Sequence, residues 1–165
     1  LLHHFGTKTG LLAATIAERD EIDRVRREES EASGVTFVET MREQVERNTH
    51  SPGLVALHVV LSAEATDPQH PAHESFRERY RHLRHQDDQA FARLQEEGQL
   101  RADLDPRRVG QLVTAMMDGL QLQWLLDPDE VDMRGLFDDF LRLLEIPTEP
   151  APEPASREEG GATRR

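Results

Sequence analysis

Apolar residues recur three and four positions apart along most of this chain, and strict apolar/polar alternation with β-branched enrichment is missing. Leu11, Leu12 and Ile16 open the first such run, and Phe76, Tyr80, Leu83, Ala90 and Leu94 mark a long later one. The periodicity predicts helices over residues 7–31, 35–49, 52–66, 72–98, 106–126 and 131–145. Breakers separate them at Ser33-Gly34, Ser51-Pro52, Asp67-Pro68 with Pro71, Gly98, Asp105-Pro106 and Asp127-Pro128. Proline fixes φ for a first turn while aspartate caps it or meets its dipole, so an Asp-Pro pair suits a boundary. Helices joined by such short turns predict an all-α bundle of about six helices.

The helices differ in how much apolar surface they carry. "LVALHVVL", residues 54–61, is apolar almost all round, which predicts a central helix surrounded by others. Helix 72–98 has only a narrow stripe, with Asp87 where another apolar residue is due. Helix 106–126 has two apolar faces, one with Val109, Val113, Met116, Leu120 and Trp124, the other with Leu112, Ala115, Gly119, Leu122 and Leu126. Two buried faces need two partners. Helix 131–145, with Leu136, Phe137, Phe140, Leu141, Leu143 and Leu144, also exceeds what a small bundle covers. The C-terminal pair therefore reads as an oligomer interface, with Leu112, Ala115, Gly119, Leu122, Leu126, Leu136, Phe140 and Leu144 meeting their copies in a homodimer.

Composition narrows the class. With 36% hydrophobic and 5% aromatic residues, the 165-residue chain suits one helical domain with a proper core. No segment approaches the roughly 18 apolar residues of a membrane span, and no secretory leader pattern is visible. Zero cysteines exclude disulfides, thiolate catalysis and Cys-based zinc sites, which fits a cytoplasmic protein. The net charge of −12 repels nucleic acid unless a separate basic module does the binding. From Pro147 onward "PTEPAPEPASREEGGATRR" is proline-rich and nearly free of large apolar residues, so residues 147–165 are expected to be a disordered tail.

The opening "LLHHFGTKTGLL" reads as a helix end, a turn at Gly6 and a new helix capped by Thr7. It resembles the end of the helix-turn-helix in TetR-family bacterial transcriptional regulators: Leu1, His4, Phe5, Lys8, Leu11 and Leu12 match the pattern, while Leu2 stands where the family usually has Tyr. "DGLQLQWLLDPDEVDM", residues 118–133, is similar to the last-but-one helix and joint of many such regulators. The resemblance implies a homodimeric, ligand-responsive repressor, with residues 1–6 a recognition-helix remnant and residues 7–146 the ligand-binding and dimerisation domain. In this picture a small-molecule effector releases DNA by tilting helix 7–31, because two recognition helices must sit about 34–36 Å apart on DNA. His4 and Lys8 match positions that touch phosphates. The preceding helices of the DNA-binding module lie outside this sequence, so operator binding is expected of the intact protein alone. A helical dimerisation module with no small-molecule ligand is the alternative.

An effector site needs an apolar cavity with a few polar groups. The polar candidates are His58, Tyr80, Asp87 and Trp124, with Phe37, Met41, Leu61, Phe76, Met116 and Met117 as walls. His58 also fits a satisfied core histidine, and each wall residue also fits plain core. Asp87, if buried, needs a partner or a cationic ligand; if its stripe has reached solvent, it needs neither.

Metal and catalytic readings find less support. His70-x-x-His73 and His82-x-x-His85 have a spacing able to chelate, yet no Glu-x-x-His accompanies them, so no metal and no cofactor is expected. The serines sit at caps and turns without a glycine elbow, and no phosphate-cradling glycine loop occurs; no enzymatic activity is expected.

Overall fold

The computed structural model describes residues 8–146. Six helices are present among them: α1 (Lys8–Ala32), α2 (Phe37–Thr49), α3 (Pro52–Glu64), α4 (His73–Glu96), α5 (Pro106–Leu126) and α6 (Met133–Leu143). The expected all-α bundle is what the chain forms, with boundaries within a few residues of those the periodicity predicts. The recognition-helix remnant at residues 1–6 with His4, and the tail at residues 147–165, lie outside the described residues.

Local chemistry sets the helix ends. Thr36 closes a capping box on α2: its hydroxyl accepts from Glu39 N at 3.2 Å, and its own backbone N–H donates to Glu39 Oε2 at 2.9 Å. Asp105 accepts from Arg107 N ahead of α5, and Asp132 accepts from Gly135 N ahead of α6. Pro52 and Pro106 occupy first-turn positions of α3 and α5, where a missing N–H costs nothing. After α4 the chain turns through Gly98 at φ +73°, which lets Gln99 N and Leu100 N both reach the Leu94 carbonyl.

Packing divides the interior in two. The larger core joins α2, α4, α5 and α6 through Val45, Phe91, Val109, Met133, Phe137 and Leu141, and Phe37 meets Phe91 edge to face at 5.4 Å. The smaller core joins α1, α3 and α4 through Ile16, Leu61, Ala65, Ala72 and Phe76. Outside the cores, Arg42 on α2 grips Asp138 on α6 with two bonds, Nε to Oδ1 at 2.8 Å and Nη2 to Oδ2 at 2.9 Å.

One expectation is corrected. The apolar helix 54–61 is not surrounded: α3 buries Val55, His58 and Leu61 and leaves Val60 54% exposed. It packs by one face against α1, α2 and α5, and its other face stays at the surface.

Candidate effector cavity

Helix α1 places Ile16, Asp20, Arg24 and Arg27 at intervals of four, four and three, so they share one face. That face forms one wall of a cavity of about 520 Å³. Opposite it, α4 contributes Phe76, Arg79, Leu83 and Gln86, while α5 contributes Val113, Thr114, Met117, Asp118 and Gln121. Asn48 of α2 and His58 of α3 close the end. The volume falls in the usual range for small-molecule sites, about 300–1,000 Å³.

Asp118, whose side chain is half-exposed, joins α5 to α3 and α4 at the cavity wall. Its Oδ2 accepts the Tyr80 hydroxyl at 2.8 Å, and its Oδ1 lies 3.4 Å from His58 Nε2. Burial, together with the neighbouring carboxylate of Asp118, pushes the Tyr80 phenol well above its ordinary value, so it stays a donor. His58 is itself buried and stacks on Phe76, ring centroids 5.7 Å apart. Arg79 is paired with Asp20 across the cavity, and burial lowers its guanidinium pKa. Arg79 Nε and Gln121 Oε1 are buried without a hydrogen-bond partner. Such groups are costly unless water or a ligand satisfies them.

Polar links tie α1 to this wall. Arg79 and Asp20 join α4 to α1, Arg27 donates to Gln86 Oε1 at 2.8 Å, and Arg19 hydrogen-bonds Asn48 of α2. Beyond them α1 exposes Ile22 and Val25. On its other side, α1 with the end of α2 and the start of α3 borders a more open groove of about 810 Å³. Asp23 in that groove is already met by Arg19, Arg26 and Arg47.

The residues expected to bind a ligand separate into groups. His58, Phe76 and Met117 line the cavity, and Tyr80 supports it through Asp118. Asp87 is buried behind it and accepts the Thr114 hydroxyl at 3.1 Å. Its stripe has not reached solvent, and desolvation raises its carboxyl pKa to about 6 against the opposing pull of Thr114 and Arg27. Phe37, Met41, Met116 and Trp124 pack in the larger core, and Leu61 in the smaller. Filling the bundle away from the cavity, these five are not among its walls. Asp118, Gln121, Arg79 and Arg27 were not anticipated. A signal existed: Thr114, Asp118 and Gln121 form a polar stripe between the two apolar faces of α5.

Three of the paired histidines have local partners. His73 bonds the Ala65 carbonyl at 2.8 Å, His70 sits 3.6 Å from Glu64, His85 faces Gln89, and His82 lines the cavity.

The second face of α5 stands open. Leu112 and Leu122 are exposed, Leu126 is 77% exposed, and a Cβ added at Gly119 would meet nothing within 4 Å. On α6, Leu136 and Leu143 are exposed, while Phe140 and Leu144 pack against the larger core and are half-buried. Among the described residues, no helix is long and apolar enough to cross a membrane.

A sequence profile for BetI-type transcriptional repressors, C-terminal domain, matches residues 36–144. No curated protein and no solved structure matches the chain. The matched span runs from the N-cap of α2 to the residue after α6, and so contains the cavity walls on α2 to α5 and the open faces of α5 and α6. The chain belongs to the family of BetI-type transcriptional repressors, as a C-terminal domain of the TetR type, and its class of function is transcriptional regulation.

Proposed function

We propose that this chain is the effector-binding and dimerisation part of a ligand-responsive repressor, in which a small molecule entering the 520 Å³ cavity releases DNA. The observation that carries the reading is that α1 forms a whole wall of that cavity and is held there by polar contacts, Asp20 to Arg79 and Arg27 to Gln86. A ligand that inserts among these groups changes where α1 rests, because it binds one arrangement of the wall better than the other. The N-terminal end of α1, at Lys8, is where a DNA-binding module is joined in the intact protein under this reading. His4 and Lys8 then serve as phosphate contacts of that protein, which works in the cytoplasm on operator DNA.

The homodimer follows from the open leucines of α5 and α6. Leu112, Leu122, Leu126 and Leu136 form with Ala115 and Gly119 an apolar face of the kind that two copies bury as a four-helix bundle. Leu143 joins it in place of the deeper Phe140 and Leu144.

A cavity-filling change tests the effector reading. Ala17 lines the cavity from α1 and is exposed, so Ala17→Phe occupies space without disturbing the core. Ligand-observed NMR against a metabolite library should give binders to the wild type that are lost in Ala17→Phe. A library without binders, or binders indifferent to Ala17→Phe, would leave the ligand-free dimerisation module as the better account.

A further inference from the structure

We propose that the effector cavity takes an apolar monocarboxylate, with its carboxylate received by the Arg27 guanidinium and its hydrocarbon part against Leu83, Val113 and Met117; this rests on the effector reading above. Four arginines line the cavity. Arg19 lies 3.5 Å from Asp23, Arg24 lies 2.6 Å from Glu21, and Arg79 is paired with Asp20, so three of them are neutralised by carboxylates of the same lining. Arg27 is the exception. Among the described residues no carboxylate lies within ion-pair distance of it, and its one hydrogen bond runs from Nη1 to the neutral Gln86 amide oxygen at 2.8 Å. A guanidinium carries five N–H donors in a planar fork that matches a carboxylate, and Arg27 uses one. The side chain is half-buried, so part of the water that would serve the other donors is excluded.

The carboxylates of the lining, by contrast, are all met. Asp20, Glu21 and Asp23 hold the arginines named above, Glu78 holds Arg81, and Asp118 has the Tyr80 hydroxyl and His58. A ligand cation would meet Arg27 as a like charge and find each of these carboxylates engaged. Geometry sets the length of the ligand. Gln86 marks the Arg27 end and Arg79 the Asp20 end; seven residues apart on α4, they are separated by about 10 Å at 1.5 Å per residue. Leu83 stands between them on α4, and Met117 of α5 lies between the level of the Thr114–Asp87 bond and that of the Asp118–Tyr80 bond. Behind Arg27 the buried Asp87 feels its charge from beyond ion-pair distance, and so opposes a bound carboxylate without replacing it.

Three probes on one skeleton separate the cases: 3-phenylpropanoate, 3-phenylpropanamide and 3-phenylpropylammonium. Isothermal titration of the chain at pH 7.5 should show the carboxylate binding about tenfold more tightly than either of the others. Arg27→Gln should weaken the carboxylate about tenfold and leave the amide unchanged. Asp87→Asn removes the opposing charge and should tighten the carboxylate severalfold, which keeps the test intact if Arg27→Gln loosens α1. Ala17→Phe should abolish binding of all three. If the amide or the ammonium binds as well as the carboxylate and Ala17→Phe blocks it, the effector reading stands and the carboxylate assignment is overturned. Carboxylate binding that is indifferent to both Arg27→Gln and Asp87→Asn, or no binding of 3-phenylpropanoate at millimolar concentration, also overturns the assignment. Binding that survives Ala17→Phe overturns both readings.

Discussion

Gly110 on α5 lies so close to Asp87 on α4 that a Cβ built on the glycine would stand 2.7 Å from the Asp87 Cβ. The two helices can approach there because only one of the two positions carries a Cβ. Gly110→Ala gains about 1 kcal/mol of helix propensity. The clash is between two Cβ atoms, which no rotamer change can separate, so α4 and α5 must part and loosen Phe91 beside them. We expect a net destabilisation of about 1–2 kcal/mol, the lower part of the range for overpacking. Urea unfolding reads it directly, and a raised midpoint would mean that the helices separate freely at this point.

Asp87 itself makes stability depend on pH. Its pKa is raised from 3.8 to about 6 in the folded chain, chiefly by desolvation. The folded state therefore holds the proton more tightly than the unfolded state, and this group's contribution to stability falls as pH rises from about 4 to about 6. Asp87→Asn keeps an acceptor for Thr114 and removes the buried charge. The variant should be more stable than the wild type at pH 7.5 by about 1–3 kcal/mol, and the difference should shrink toward pH 4. Denaturation at both pH values checks the sign; a variant less stable at pH 7.5 would show that the Arg27 charge outweighs desolvation.

Gly119 separates subunit from assembly. Nothing within 4 Å opposes a side chain there in the single subunit, so Gly119→Leu should fold as well as the wild type. In a dimer built on that face the same change is felt in both copies, overpacking the contact by roughly 1–3 kcal/mol at each site. Sedimentation at micromolar concentration should show wild-type dimers and variant monomers. Dimers in both would place the interface elsewhere.

Phe91 anchors the larger core, with no exposed surface and an edge-to-face contact with Phe37. Phe91→Ala should cost about 3–5 kcal/mol through lost transfer energy and the cavity left between α2, α4 and α5. Thermal unfolding followed by circular dichroism measures it; a cost below about 1 kcal/mol would show that the core collapses to fill the space.

The helices were legible along the chain. Periodicity of three and four, a capping box at Thr36 and Glu39, and prolines at the starts of α3 and α5 act within a few residues of one another, so their effects are local and readable along the chain. Also legible were the two apolar faces of α5, of which Val109, Val113 and Leu120 became core while Leu112, Leu122 and Leu126 stayed open. The tertiary structure alone decided which residues face each other across the bundle. Asp20 finds Arg79, Tyr80 finds Asp118 and Thr114 finds Asp87 over separations of 59, 38 and 27 residues. Helical spacing tells which side chains share a face, but the partner of that face depends on the rotation and crossing of whole helices. For the same reason Met116 and Trp124, each within one turn of a cavity residue on α5, went to the core, whereas Asp118 and Gln121 came to line the cavity.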